Sequence, residues 1–563
     1  MVNPTVTQDM LRDALGHHRA GRLPEAERLY QRILAIDPRQ ADGLHLLGMI
    51  EYEAGHYESA TDLIRKAIAI NRQGISYYAN LGTVLQAQGK LDEAKILYKQ
   101  VLALKPNLAE VHVNLGNVHQ AQGELAESVD CYKRALALQP ESAETHNNLG
   151  AVLQKQEKIE DAIACYQRAL VFKPDYVEVY YNLGNARKDQ DKFAEAVEYY
   201  RQALTLKPDY AEAYYNLGNV LRAQGKLDDA LVEYAQALSL RPEYARARFG
   251  QALAQLLNAG FEVGWRNYES RWQTPDHDTP LRAYPQPLWS GQRLGSGSLL
   301  IWGEQGIGDE IMFAGLIPDA IRSGNRCILD CDSRLKPIFE RSFPGISVVS
   351  GYDPAGDPEI VSQLPSGSLP GLFRATGAAF ADTTSPYLVP NPTARERLRA
   401  RYADGRKVIG LAWHTNNRKT GRERSIDLSL LAPLSALPGI RWVSLQYGDH
   451  SELEQKADAA GMPILVDRSV DQLLDLDVFA AQIAAMDLVI TIDNSTAHLA
   501  GALGVPVWVL LKFAPDWRWL LDRSDSPWYP TMRLFRQPKP GDWQSVVQRL
   551  QNAMAALGLQ ESA

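Results

Sequence analysis

Tryptophan is missing from the first 264 residues of this 563-residue chain, while eleven follow between Trp265 and Trp543. That absence divides the chain into two compositions before any motif is read. Cysteine is scarce as well, with four in all. Cys131 and Cys165 lie in the tryptophan-free part, and Cys327 and Cys331 share one predicted strand. Such placement excludes a disulfide framework and reads as buried, reduced thiols rather than a metal or redox pair. A reducing, cytoplasmic location is expected. Long hydrophobic runs are lacking, since no stretch approaches the ~18 apolar residues that span a bilayer. The opening MVNPTVTQDMLRDALG has neither a basic n-region nor an apolar h-region, so no signal peptide is expected. Positive charge is not in excess: the net charge is −8 and the pI ≈ 5.8, which excludes general nucleic-acid affinity. With 45% apolar and 22% charged residues the composition is that of a soluble globular protein. The length predicts about three or four domains.

What the first half does contain is a step of 34. Pro106, Pro140, Pro174, Pro208 and Pro242 keep it, and Pro38 lies two steps before Pro106. Gly48, Gly82, Gly116, Gly150, Gly184 and Gly218 keep it too, as does a small residue at Ala26, Ala60, Ala94, Ser128, Ala162, Ala196 and Ala230. This period is the signature of the tetratricopeptide repeat, a helix pair that buries its apolar face only against neighbours. Seven repeats are predicted: 7–40, 41–74, 75–108, 109–142, 143–176, 177–210 and 211–244. The glycine and the small residue let the two helices approach, and tyrosines such as Tyr98, Tyr132 and Tyr166 are expected to fill the space toward the next repeat. Proline ends each second helix, having no N–H to continue it. Arrays of this kind coil into a superhelix with a concave binding face. Asn80, Asn114, Asn148, Asn182 and Asn216 recur at the sixth position of successive repeats. An amide can donate to and accept from a peptide backbone, so this row is a candidate grip on a protein acceptor.

The second half alternates apolar runs with helical stretches. Strands are expected at 298–302, 327–331, 346–349, 408–413, 442–446, 463–466 and 488–492, with 508–511 closing the series and a looser region over 350–400. GFEVGWRNYESRWQ (260–273) reads as a helical cap on the array, followed by a Pro-rich lead-in. Alternation of this kind predicts parallel sheets with helices on both faces, which bind ligands beyond the carboxyl ends of their strands. Three loops lie at such ends. Asp493, Asn494, Ser495, Thr496 and His498 follow the strand LVITI and open a helix, gathering hydroxyls and N–H groups where a phosphate is favoured. The loop after VIGLAW carries Asn416, Lys419 and Arg424 and suits a diphosphate clamp. Gly306-x-Gly308-Asp309 follows the first strand and places a carboxylate for general-base work across a cleft.

LLIWGEQGIGDEIMF (299–313) and DLVITIDNSTAHLAGALGVPVWVLL (487–511) resemble the ADP-heptose:lipopolysaccharide heptosyltransferases, a family of inverting glycosyltransferase family 9 type. The resemblance covers about residues 297–540 and implies the GT-B fold, two Rossmann-like domains around a nucleotide-sugar donor. It further implies Asp309 as base, with Asp493, Ser495, Thr496 and His498 at the donor phosphates. The whole chain, including PDWRWLLDRSDSPWYPTMRLFRQ (515–537), is similar to bacterial tetratricopeptide-repeat glycosyltransferases. Its architecture is also similar to that of O-linked N-acetylglucosamine transferases and flagellin glycosyltransferases.

The resulting expectation is an α-solenoid over 1–258, a capping helix and linker over 259–289, Rossmann-like domains over 290–400 and 401–540, and a C-terminal helix over 541–563. Its implied activity is metal-independent transfer of a sugar to Ser/Thr hydroxyls of a protein held by the array, flagellin being one candidate. Asp309 is the base; Gly306, Gly308, Asn416, Lys419, Arg424, Asp493, Asn494, Ser495, Thr496 and His498 bind the donor; no cofactor or metal is called for. A homo-oligomer is left open. Two alternatives stand beside this: a scaffold with an inactive transferase domain, and a transferase acting on lipopolysaccharide or another glycan.

Overall fold

A computed structural model of the chain describes residues 4–275, 277, 279–383, 385–416 and 421–556. It divides into two compact units, Met1–Ala213 and Tyr214–Ala563. Among the described residues no helix is long and apolar enough to cross a membrane.

Helix pairs keep the sequence period. First helices start at Ala41, Ile75, Ala109, Ala143, Val177, Ala211 and Ala245, and second helices at Tyr57, Leu91, Leu125, Ile159, Phe193, Leu227 and Phe261. The residue before each proline ends its helix in an extended conformation, as at Lys105 (φ −135°) and Lys173 (φ −138°), because the proline ring excludes the helical one. The pair Ala245–Leu257 and Phe261–Tyr268 continues the step beyond the seven predicted repeats. Its small residues are exchanged, with Ala252 at the glycine position, Gly264 at the alanine position and Tyr268 in the tyrosine place. The segment expected as a cap is therefore half of an eighth pair.

The tyrosines work differently from the expectation. Each ring lies over the glycine of its own repeat. A Cβ on Gly116 would meet Tyr132 at 2.7 Å, and one on Gly150 would meet Tyr166 at 2.6 Å. In 41–74, where the ring is replaced by Ile64, a Cβ on Gly48 would meet that isoleucine at 2.8 Å. The glycine is needed for close approach, and the ring locks the two helices of one repeat. Tyr132 then donates its hydroxyl to Asn117 at 2.6 Å and Tyr200 to Asn185 at 2.7 Å, which satisfies a phenol that packing has buried.

The second unit holds two parallel sheets. The first contains β1 (Ser298–Trp302), β2 (Arg326–Asp330), β3 (Ser347–Val349) and β4 (Ile360–Pro365) in the order β3-β2-β1-β4. The second contains β5 (Lys407–Ala412), β6 (Ile440–Ser444), β7 (Ile464–Leu465), β8 (Leu488–Ile492), β9 (Val507–Leu511) and β10 (Met532–Arg536) in the order β10-β9-β8-β5-β6-β7. Counted from its own first strand, the second sheet reads 6-5-4-1-2-3, the doubly wound order of nucleotide-binding sheets; the first sheet keeps its 3-2-1-4 portion. β4 lies within the stretch expected to be loose, and β10 follows the strand expected to close the series. β4 escapes a hydropathy reading because its inward positions are in part polar: Gln363 is buried and accepts the Trp302 indole N–H at 2.7 Å. β10 escapes it because Arg533 and Arg536 interrupt its buried Met532, Leu534 and Phe535.

Alternate residues of the second sheet enter opposite cores. Ile409, Leu411, Ile490 and Leu510 pack with Val546 and Leu550 of the C-terminal helix Trp543–Ala556. Val408, Val489, Val507 and Val509 face a core shared with the first sheet and with Trp265, Trp517 and Trp528. Both faces are covered, as a parallel sheet requires.

Replacing Gly116 by Ala tests the ring-over-glycine contact. An ordinary helical Gly→Ala change stabilises by about 0.5–1 kcal/mol. Here the added methyl meets a fully buried ring, and the expected outcome has the opposite sign, a loss of about 1–3 kcal/mol by denaturant unfolding. Gly116→Ala paired with Tyr132→Leu restores part of that loss.

Candidate functional site

In each sheet the strand order reverses beside the first strand, between β1 and β4 and between β5 and β8. The loops leaving those strands form the crevice where such sheets take ligands.

In the first crevice, Glu304 follows β1 and is 1% exposed. Arg271 pairs with it through two hydrogen bonds of 2.9 and 2.7 Å, and both side chains are fully buried. Gly367, after β4, donates its N–H to the same carboxylate at 2.9 Å, and Arg271 also reaches Ser368 at 3.0 Å. Burial opposes ionisation of Glu304, but His277 and the Arg271 guanidinium outweigh it and hold the pKa down at about 2. Gln305 comes next in a left-handed conformation (φ 66°), with its amide donating to Tyr268 at 2.8 Å. A non-glycine residue there is held in place by its surroundings. This turn launches the helix Ile307–Ala314, on which Asp309 is the third residue. Gly306 has φ −116° and open space around its Cα, so neither strain nor crowding requires glycine there. At Gly308 space is tight: a Cβ would come within 3.1 Å of His498 and 3.6 Å of the Ser495 Cα.

That contact brings the first loop onto the third. The helix Ser495–Ala502 begins after β8, and Asn494 is its N-cap, accepting the N–H groups of Thr496 at 3.0 Å and Ala497 at 3.3 Å. The N–H groups expected to be open to a phosphate are thus in part taken by Asn494, while Ser495 is half-buried at the crevice and Thr496 is buried. His498 is buried, shares a 3.0 Å hydrogen bond between Nδ1 and the Tyr529 hydroxyl, and stacks on Trp519 with ring centres 5.2 Å apart. Burial, then the nearby Arg518 charge, lowers its pKa to about 3, so it is a neutral imidazole near pH 7. Asp493 is 4% exposed, and among the described residues neither of its carboxylate oxygens accepts a hydrogen bond. Burial pushes its pKa up to about 6 against the pull of Arg424, whose Nε lies 3.5 Å from Oδ2.

The middle loop is anchored at both ends. Gln446, after β6, accepts the N–H groups of Trp413 and His414 at 3.0 and 2.8 Å. Asn416 donates its N–H to the Tyr447 hydroxyl at 2.7 Å. Arg424 crosses the reversal point to the Asp493 carbonyl at 3.4 Å. Lys419 lies outside the described residues. A cavity of about 610 Å³ opens beside this loop, lined by His414, Asn416, Gln446, Tyr447, Asp449 and Glu452 among others.

Asp309 is not alone. Arg518 donates to its Oδ1 and, at 2.6 Å, to Asp516. Burial raises the Asp309 pKa and Arg518 opposes the rise. The Asp309 side chain stays 20% exposed, so it is open to the crevice. Arg518, Asp516, Trp519 and Tyr529 all fall in the 515–537 motif, yet the sequence assigned them no role. The five asparagines of the repeats are half-buried. They are not a row of unengaged amides: Asn80 bonds His45 at 2.8 Å, Asn148 approaches Asn117 at 3.5 Å and Asn182 donates to Asn147 at 2.9 Å.

Known relatives bear on the repeats. Models described as tetratricopeptide repeat match residues 17–84, 107–171 and 211–244, and one described as TPR repeat matches 84–123, 155–191 and 184–221. The N-terminal region is therefore composed of tetratricopeptide repeats. Protein FlbA of Caulobacter vibrioides is 33% identical over 329 residues, 54% of this chain and 54% of FlbA, so the chain spans about half the length of this curated relative. Among solved structures, MamA is 27% identical over 30% of this chain and 97% of its own (TM-score 0.28). YrrB, described as a TPR protein with an unusual peptide-binding site, is 25% identical over 33% of this chain and 95% of its own (TM-score 0.29). Pseudomonas aeruginosa pilF is 22% identical over 38% of this chain and 96% of its own (TM-score 0.34).

The Arg271–Glu304 pair carries a stability prediction. Arg271→Met strands a buried carboxylate, and the expected cost is ~3–5 kcal/mol in denaturant unfolding, partly recovered in Arg271→Met/Glu304→Met. Because the folded pKa of Glu304 is depressed from 4.5 to about 2, its contribution is complete above pH 4.5 and is lost as pH falls towards 2. Acid-induced loss of stability across that window is expected to be shallower in the double variant.

Proposed function

We propose that this chain is a protein glycosyltransferase of the GT-B type, with a nucleotide sugar between its two sheets and a protein acceptor on its repeats. One observation carries the reading: the crevice loops of two doubly wound sheets meet at Gly308 and His498. That contact sets an accessible carboxylate, Asp309, beside a helix N-terminus flanked by Arg424 and Arg518. An anionic leaving group and a proton acceptor are what such a site serves together.

In this reading the acceptor Ser or Thr oxygen forms a bond to the anomeric carbon. The bond from that carbon to the diphosphate oxygen breaks, the diphosphate leaves with the electron pair, and configuration inverts. Asp309 takes the hydroxyl proton. Ser495, the helix end and Arg424 stabilise the diphosphate, with Asn416 on the neighbouring loop and, by its place in the sequence alone, Lys419. Asp493, a buried carboxylate with Arg424 at 3.5 Å as its ion-pair partner, suits hydroxyls of the donor. The 610 Å³ cavity past β5 and β6 has the size and polar lining for a nucleoside. Tetratricopeptide arrays bind peptides and proteins, and in this reading the half-buried asparagines serve that task beside their bonds to neighbouring side chains such as His45 and Asn147. The reaction draws on no cofactor beyond the donor substrate, and the reading places it in the cytoplasm.

A thermal-shift screen against UDP-, GDP-, ADP- and CMP-sugars identifies the donor, since a ligand at a hundred times its Kd adds about 2.7 kcal/mol. With that donor, Asp309→Asn is expected to lower turnover about 10²–10⁴-fold. Wild-type turnover in this variant refutes the assignment of the base. Asn114→Ala/Asn148→Ala/Asn182→Ala is expected to weaken acceptor binding, each contact contributing about 0.5–1.5 kcal/mol, while donor hydrolysis by water persists. Equal loss of both activities removes the asparagines from acceptor recognition.

A further inference from the structure

The segment 515–522 carries charge that the reaction above leaves unused. Asp516 opens a tight turn, Trp517–Trp519, and accepts the Arg518 N–H at 3.2 Å. Leu520 follows at φ 50° and ψ −174°, a region nearly confined to glycine, and Asp522 has φ 52°. The turn is held from both sides. Trp517 packs edge-on against Trp265 at 5.1 Å, Trp519 stacks on His498, and Arg536 donates to the Trp519 carbonyl at 3.3 Å. Between these anchors Arg518 lies flat over Trp517, 4.4 Å from its ring centre, with its two terminal nitrogens on Asp309 and Asp516. A Cβ on Gly308, the residue before Asp309, would lie 3.6 Å from the Ser495 Cα, and Trp519, the residue after Arg518, stacks on His498 of the same helix, so the guanidinium is placed near the helix end assigned to the donor phosphates. One planar fork therefore serves two carboxylates beside an anion site, and that fork matches phosphate as well as it matches carboxylate. A carboxylate held by a guanidinium is also a weaker proton acceptor.

We propose that Arg518 is a diphosphate ligand shared with Asp309: its guanidinium pairs either with the Asp309 carboxylate or with the phosphates of a nucleoside-diphosphate donor at Ser495. This rests on the function proposed above and goes beyond it. Donor binding draws Arg518 away and leaves the base unpaired, so the proton acceptor is released only when a leaving group is in position. Because nucleotide and Asp309 compete for one cation, removing either competitor strengthens the hold on the other.

Calorimetric titration of the full chain with UDP, GDP, ADP and CDP tests this. For the diphosphate that binds wild type, Asp309→Asn is expected to bind it about three- to tenfold tighter and Arg518→Gln about tenfold weaker, the order of a charge-assisted hydrogen bond. In Asp309→Asn/Arg518→Gln the gain vanishes, and Arg518→Lys, which keeps the charge without the fork, lies between wild type and Arg518→Gln. The parent nucleoside binds all of these alike. Thermal melts establish that each variant is folded. A merely structural Arg518 would not make Asp309→Asn tighter. If a diphosphate binds wild type and Asp309→Asn binds it no tighter, the shared arginine is overturned and the glycosyltransferase reading stands. If none of the four binds wild type or Asp309→Asn, both are overturned.

Discussion

The buried pairing of Arg271 with Glu304 is the contact on which the geometry of the second unit turns. Arg271 belongs to the segment that follows the last helix pair, and Glu304 to the loop that leaves β1. Through Glu304 the same cation reaches the loop after β4, because Gly367 shares the carboxylate. Tyr268 and Trp272 close over the guanidinium, with ring centres 4.7 and 4.4 Å away. Two charges taken out of water in this way are costly unless every hydrogen bond is made, and here they are. The result is a loop with no freedom to drift, in which left-handed Gln305 sets the direction of the helix that carries Asp309.

From that helix the organisation spreads across the crevice. Gly308 leaves room for His498, which a Cβ there would crowd at 3.1 Å. His498 is kept neutral by burial and oriented by Tyr529, and Tyr529 itself lies against Gly501, where a Cβ would meet its ring at 2.5 Å. Tyr387 donates its hydroxyl to the Ile311 carbonyl at 2.8 Å and its N–H to the Ala502 carbonyl at 3.1 Å, and so bridges the helices Ile307–Ala314 and Ser495–Ala502. The buried contacts of the site are aromatic and tightly packed, and its charges, Asp309, Arg424 and Arg518, gather at the crevice.

Local signals were legible in the sequence and long-range ones were not. The 34-residue step exposes the helix pairs because each repeat solves the same packing problem with the same few residues. The eighth pair hid because its glycine and alanine trade places, at Ala252 and Gly264, although Tyr268 keeps its position. The loops after β1, β5 and β8 could be found because apolar strands end there in polar, cap-forming residues. That Asn494 is the cap, and that it takes two of the helix's N–H groups, needed coordinates. Arg518 could not be linked to Asp309 from the sequence, since 209 positions separate them and only strand order brings them together. Polarity concealed β4, whose buried Gln363 looks like a surface residue until its bond to Trp302 is seen.

The exchange of glycine and alanine in the eighth pair has an evolutionary side. The last two helix pairs belong to the same compact unit as the sheets, whereas the first six pairs lie in a unit of their own. Every partner of the crevice residues described above falls after residue 213. Recombination among the first six repeats, gaining or losing them in whole multiples of one period, leaves all of those partnerships in place. The array can then change length without touching the crevice, because the boundary between the two units lies inside the array rather than at its end.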